Sequence, residues 1–200
     1  MATSISAWLS IGSTYTYLTA LRLRGVIEKS KIKLNVKPIS IRQIMKNMDN
    51  IPFPPSKKTK VDYMWRDIQR RAEYYSLPVP HVPVPYPLKD FDRANLIGIV
   101  INQDGRYVEY LEQTYRAWFL EGLEAGSEPN IRNVTYKMGL NMQSVVDSAS
   151  SSEIKKIYER NTSDAELAGV FGVPSFEVKG EIFWGDDRLE DAIRFSSIDA

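Results

Sequence analysis

Strand-like patterning is confined to the two ends of this chain, and that arrangement restricts the fold more than any other feature. Near the start, Ala7, Leu9 and Ile11 alternate with Trp8 and Ser10, which predicts a strand over residues 6–11. Trp8 falls on the second face, so both faces are expected to be covered. Residues 32–39 alternate apolar and polar side chains and predict a second strand. Between the two, Tyr17, Leu18, Leu21 and Val26 recur at roughly helical spacing, with Gly25 read as the exit. The opening is thus a strand–helix–strand unit, for which a right-handed crossover is expected. At the far end, residues 175–178 and 181–184 predict two short strands joined by Lys179-Gly180 in a tight hairpin. From about residue 41 to 150 there is no convincing strand pattern.

The middle reads as helices over residues 41–48, 59–75, 90–101, 107–122, 128–138 and 142–148. The second of these places Val61, Met64, Trp65, Ile68 and Ala72 on one face. A breaker cluster at 50–56 and a proline-rich loop at 78–87 separate the first elements. Residues 152–162 predict a further helix, with 164–169 continuing it after a break. A closing helix over 186–195 has an acidic first turn, as the helix dipole favours. Joining the ends gives a four-stranded sheet with helices on both faces. Residues 1–40 and 151–200 then form one α/β unit, interrupted by a helical insertion at 41–150.

Chemistry is narrowed by what the composition lacks. With no cysteine, the chain has no disulfide, no redox dithiol, no protein thiol nucleophile and no thiolate metal site. Its one histidine, His81, lies in the proline-rich loop and cannot build a histidine-rich metal centre. A net charge of +1 gives no electrostatic case for a nucleic-acid partner. No apolar run approaches the roughly 20 residues of a membrane span. The first residues lack the basic start and apolar core of a secretory signal, so a cytoplasmic location is expected.

Val173-Pro174, at the entry to the third strand, is the most pointed local signal. Proline cannot donate to a sheet ladder and is kept to strand starts and edges. It is also the residue at which a cis peptide is cheap. A cis bond here would turn the Val173 backbone outward, free to pair with an extended peptide. At the opposite end, Gly12-Ser13-Thr14 supplies the turn into the first helix, where serine is a good cap.

The order of elements resembles the thioredoxin-like branch that holds DsbA-type proteins, kappa-class glutathione transferases and 2-hydroxychromene-2-carboxylate isomerases, and most of all the last. Those isomerases carry Ser-Pro-Tyr-Ser-Tyr-Leu after the first strand; here the stretch is Ser13-Thr14-Tyr15-Thr16-Tyr17-Leu18. Asn50-Ile51-Pro52, the stretch from Tyr63 to Arg70, that from Thr114 to Phe119, Asn161-Thr162 and residues 169–188 also resemble the family, in the right order along nearly the whole chain. Two departures stand out. Thr14 replaces the proline that would stiffen the first helical turn. The first strand, ending Leu9-Ser10-Ile11-Gly12, lacks an acidic residue often seen there.

The resemblance implies a glutathione-dependent isomerase. Ser13 would stabilise the glutathione thiolate, which adds to a conjugated aromatic carboxylate and is later eliminated; the nucleophile is borrowed. Val173 and Pro174 would hold the cysteinyl part, Asp186 and Asp187 the γ-glutamyl end, and Asn50 would reach the tripeptide from the insertion. Tyr15, Lys57, Lys58 and Lys60 would face the substrate, while Trp65, Trp118 and Phe119 are expected in the core. A kappa-like transferase or peroxidase acting on electrophiles is the second reading, and a redox-inert thioredoxin-like binding protein the third. Homodimers are common in the family and are expected here by resemblance.

Overall fold

The computed structural model describes residues 4–50, 53–54 and 56–198. Ile51, Pro52 and Pro55 of the breaker cluster lie outside the described residues, as do residues 1–3 and 199–200. The elements are β1 (Ser4–Leu9), α1 (Thr16–Ser30), β2 (Lys33–Pro38), α2 (Ile41–Asn47), α3 (Lys58–Tyr74), α4 (Arg93–Asn102), α5 (Tyr107–Glu121), α6 (Glu128–Lys137), α7 (Met142–Ala149), α8 (Ser152–Leu167), β3 (Ser175–Val178), β4 (Glu181–Trp184) and α9 (Leu189–Ser196). They form one mixed sheet in the order β2-β1-β3-β4. β1 runs parallel to β2, with Ala7 beside Val36, and antiparallel to β3, with Ala7 beside Phe176. The two ends of the chain therefore meet at β1 and β3, as the pattern of strands requires.

Side-chain alternation along β1 divides the core. Ile5, Ala7 and Leu9 join Tyr17 and Leu18 of α1 and Leu189 and Ala192 of α9 in the main cluster. Trp8 points to the other face, against Ile44 of α2 and Ala165 of α8, so the sheet is covered on both sides. Its indole also donates to Glu177 at 3.1 Å, which satisfies the one polar atom this large side chain carries. The main cluster runs on without interruption into the helical block, through Met64, Trp65, Tyr115, Trp118 and Phe119. Tyr17 of α1 stacks on Phe119 of α5 with ring centroids 4.4 Å apart. Sheet and helical block are welded by shared apolar burial, worth roughly 1.5–3 kcal/mol per large side chain.

Three local boundaries differ from expectation. Gly25 does not end α1, which continues to Ser30 and stops where Lys31 turns left-handed at φ 55°. One interior glycine costs only about 1 kcal/mol, and Val26 and Ile27 keep the helix packed beyond it. α8 is unbroken through residues 162–164: the Thr162 hydroxyl donates back to Tyr158 O at 2.8 Å and accepts from Ser40 N at 2.9 Å. The closing helix does not start at Asp186. Residues Asp186–Arg188 form a 3₁₀ turn, because Asp186 faces inward rather than capping α9.

Candidate functional site

The turn after β1 is built to hold its backbone still. Gly12 sits at φ 132°, a conformation open to glycine and costly for other residues. Asn95, fully buried on α4, grips the preceding residue: its Oδ1 accepts from Ile11 N at 2.7 Å and its Nδ2 donates to Ile11 O at 3.0 Å. Tyr115 of α5 donates its hydroxyl to Ser13 O at 2.7 Å. Thr14, at the position of the expected proline, is buried and donates to the Met64 sulfur at 3.0 Å. The helical block thus fixes the turn from below, and the threonine replaces backbone stiffness with a side-chain tether.

Ser13 does not cap α1. The residue preceding that helix is Tyr15, without a side-chain cap, and the Ser13 hydroxyl instead donates to Val173 O at 3.1 Å. The Val173–Pro174 peptide is cis. Val173 N has no hydrogen-bond partner among the described residues. Pro174 O accepts from Gly185 N at 2.9 Å, which ties the strand entry to the turn after β4. Residues 160 positions apart in sequence are therefore in direct contact at the mouth of a cleft.

Two lobes open from this point, sharing Tyr15, Val173 and Trp184 as walls. The smaller, about 420 Å³, is lined by Asp67 and Arg71 of α3 and by residues 185–187. The larger, about 590 Å³, is lined by Ser13, Asn50, Phe53, Lys60, Arg42, Tyr86 and Phe91 among others. Phe171 and Trp184 stand edge to face across the junction, ring centroids 4.8 Å apart and both exposed. The indole lies so close over Gly172 that a Cβ there would fall 2.4 Å from Trp184 Nε1.

The expected site residues separate on this geometry. Ser13, Tyr15, Asn50, Lys60, Val173, Pro174, Asp186 and Asp187 line one lobe or both. Lys57 and Lys58 line neither, and Lys58 pairs with Asp62 on the exposed face of α3. Asp186 borders the smaller lobe, but its carboxylate is turned away. It accepts from Thr19 at 3.0 Å and pairs with Arg22 at 2.8 Å, both partners on α1. Burial pushes this carboxyl above its usual range, with Arg22 pulling against the shift. Asp187 is exposed and pairs with Arg188. His81 is exposed and lines neither lobe.

Asp67, Arg71 and Arg42 were not anticipated. Asp67 accepts from the Tyr15 hydroxyl at 3.0 Å, and burial with this neighbour raises the phenol's pKa, keeping the proton on oxygen. Arg71 lies over Tyr75, 4.7 Å from the ring centroid, and Arg42 lies over Phe91 at 4.5 Å. Neither arginine forms an ion pair among the described residues. Spacing was the available signal for two of them: Asp67 and Arg71 stand one turn apart beside the apolar Met64–Ile68–Ala72 row. Tyr86, on the wall of the larger lobe, is held protonated by burial, with Arg42 opposing the shift. No helix among the described residues is long and apolar enough to cross a membrane. No cluster of three or more metal-ligating side chains occurs among them.

Comparison with known proteins agrees with this architecture. The chain is 26% identical over 179 residues to the 2-hydroxychromene-2-carboxylate isomerase of Pseudomonas putida, covering 88% of this chain and 86% of that one. It is 24% identical over 193 residues to the enzyme of the same name from Sphingobium xenophagum, covering 95% and 96%. A solved 2-hydroxychromene-2-carboxylate isomerase superposes with a TM-score of 0.83 over 96% of this chain and 95% of its own, at 24% identity. The cytosolic disulfide reductase DsbM from Pseudomonas aeruginosa, solved with GSH, superposes at 0.64 over 96% of each chain, at 12% identity. The family model of the DSBA-like thioredoxin domain matches residues 4–193. With nearly the whole chain inside that match and the mixed sheet in place, the protein belongs to the DsbA-like thioredoxin-domain family.

Proposed function

We propose that this protein is a glutathione-dependent isomerase of the 2-hydroxychromene-2-carboxylate type. One observation carries the reading: in a chain without cysteine, the Ser13 hydroxyl meets the Val173 backbone where an acidic lobe and a cationic, aromatic lobe join. A thiol chemistry located there must use a thiol brought from outside.

The residues present fit glutathione. Val173 offers an unpartnered N–H, and a carbonyl held by the Ser13 hydroxyl; these are the groups an extended peptide pairs with in strand addition. Arg71 and Asp67, one turn apart on α3, together with Asp187 offer both signs of charge to the zwitterionic γ-glutamyl head. Asn50 and Lys60 would take the glycyl carboxylate. When bound, glutathione supplies the thiolate nucleophile that the chain lacks. Ser13 keeps its proton on Oγ and donates a hydrogen bond from it, which favours the anionic form of a thiol held alongside. Giving up the bond to Val173 costs about 1 kcal/mol, which the charge-assisted bond to the thiolate offsets. Trp184 and Phe171 screen the junction from water, and the aromatic walls of the larger lobe hold a planar substrate. The names of the relatives, and the glutathione in a disulfide reductase of the same fold, support this reading. A cytoplasmic homodimer is part of it, checked by fractionation and light scattering.

Ser13→Ala is the test. Loss of one hydrogen bond to a reacting anion typically slows turnover by about 10²-fold or more, while glutathione affinity is expected to move by less than about threefold. Equal rates in the two proteins would remove Ser13 from the mechanism. Conjugation of a generic electrophile without turnover of the chromene carboxylate would instead identify a kappa-like transferase. Absence of any heat with glutathione would identify a binding protein that performs no thiol chemistry.

A further inference from the structure

Charge is unevenly shared between the two lobes. The smaller is lined by Asp67, Asp186 and Asp187 against the single cation Arg71, and Asp186 is compensated by Arg22. The larger is lined by two cations, Arg42 and Lys60, and by no carboxylate among the described residues. Asp92, beside Phe91 in the chain, is already engaged: its Oδ1 accepts from the Tyr158 hydroxyl at 3.1 Å and the Ser40 hydroxyl at 3.4 Å. Both cations lie over aromatic rings, Arg42 over Phe91 at 4.5 Å and Lys60 over Phe53 at 5.1 Å.

The two cations are not equivalent. A guanidinium is planar, more weakly hydrated than an ammonium, and presents parallel donors that match a carboxylate bidentately. Contact with the Phe91 ring, 4.5 Å from the guanidinium carbon to the centroid, positions the fork without consuming its donors. Tyr86 and Phe91, on the same lobe, add flat apolar surface beside it. Lys60 is a point charge on a flexible stem, suited to the peptide carboxylate assigned to it above.

We propose that Arg42, laid over Phe91, is a specificity-determining residue that selects planar aromatic carboxylates over neutral aromatics of the same shape. The proposal rests on the isomerase reading for which lobe takes the substrate, and extends it by assigning the carboxylate to one side chain.

The test is binding rather than turnover. Calorimetry with trans-cinnamate and with cinnamamide, without glutathione, compares wild type with Arg42→Gln and Lys60→Gln. Wild type is expected to prefer cinnamate. Arg42→Gln is expected to weaken cinnamate by about tenfold, the loss of one charge-assisted hydrogen-bonded pair, and cinnamamide by less than about twofold. Lys60→Gln is expected to weaken cinnamate by less than about threefold. Cinnamate affinity unchanged in Arg42→Gln, an equal loss for both probes, or no preference in wild type would each overturn the proposal. Because neither glutathione nor catalysis enters the assay, these results stand apart from failure of the isomerase reading, which shows in the Ser13→Ala kinetics.

Discussion

Asn95→Leu isolates the clamp that holds the Ser13 turn. Leucine has the same branching as asparagine and is somewhat larger, so the substitution removes polar partners without opening a cavity. Three hydrogen bonds disappear: Ile11 N to Oδ1 at 2.7 Å, and Nδ2 to Ile11 O at 3.0 Å and to Phe91 O at 2.9 Å. Asn95 and Ile11 are both buried, so water does not replace the two bonds to Ile11, whereas Phe91 O is only partly buried. Each buried polar group stripped of its partner costs about 1–3 kcal/mol, and with some shared relaxation the sum is about 3–6 kcal/mol. At roughly 2–4 °C per kcal/mol for a chain of this size, the melting temperature should fall by roughly 6–24 °C. Asn102→Leu is the control: that side chain gives one bond, to Val36 O at 3.1 Å, and its loss should cost about 1 kcal/mol. Urea and thermal unfolding read the stability, and hydrogen exchange reads the turn, where the amides of residues 11–13 should lose protection. A loss in Asn95→Leu no greater than in the control, with unchanged exchange at those amides, would refute the reasoning.

Gly172→Ala puts a methyl where Trp184 Nε1 already lies, 2.4 Å from the new carbon. The indole must move off the lobe junction, with an expected stability loss of about 1–3 kcal/mol and weaker glutathione binding by calorimetry; unchanged affinity would separate Trp184 from the site. Tyr17→Phe tests alkaline stability. Burial pushes the Tyr17 phenol up to about 12, and its hydroxyl donates to Pro78 O at 2.5 Å. A folded-state pKa above the unfolded value of about 10 gives stability that is fully present below pH 10 and lost as pH rises through about 12. The variant should lose about 1 kcal/mol at neutral pH and show a shallower fall above pH 10 in urea unfolding. Parallel curves for the two proteins would assign the alkaline loss to the other buried tyrosines.

How much of this molecule the sequence disclosed depends on how local each cause is. The β3–β4 hairpin was legible to the residue, because Lys179 and Gly180 both take positive φ, 51° and 81°, in the two-residue turn that such a pair specifies. The extent of α1 was not, because the residues that carry it past Gly25 gain their stability from tertiary packing. Ser13 and Val173-Pro174 were legible as a pair only through resemblance; their contact joins positions that no local pattern relates. Asp186 looked like a helix-opening acid and is one half of a buried pair, since its partner Arg22 lies on α1, at the other end of the chain. Arg42 and Arg71 carry no local signal for the same reason. Whether a cation is compensated is a property of what folds against it, and the lysine run at 57–60 offered a louder but mostly solvated signal.

The overlap of the two lobes at Trp184 has an optical consequence. Of the four tryptophans, Trp8, Trp65 and Trp118 are 2%, 6% and 0% exposed, whereas Trp184 is 53% exposed. Aqueous quenchers such as iodide therefore reach one indole in the native protein, and that indole borders both halves of the cleft. Occupancy of either half shields the same fluorophore, so the protein carries its own reporter. Ligands that fill separate lobes can be counted in order of addition, without a label and without turnover.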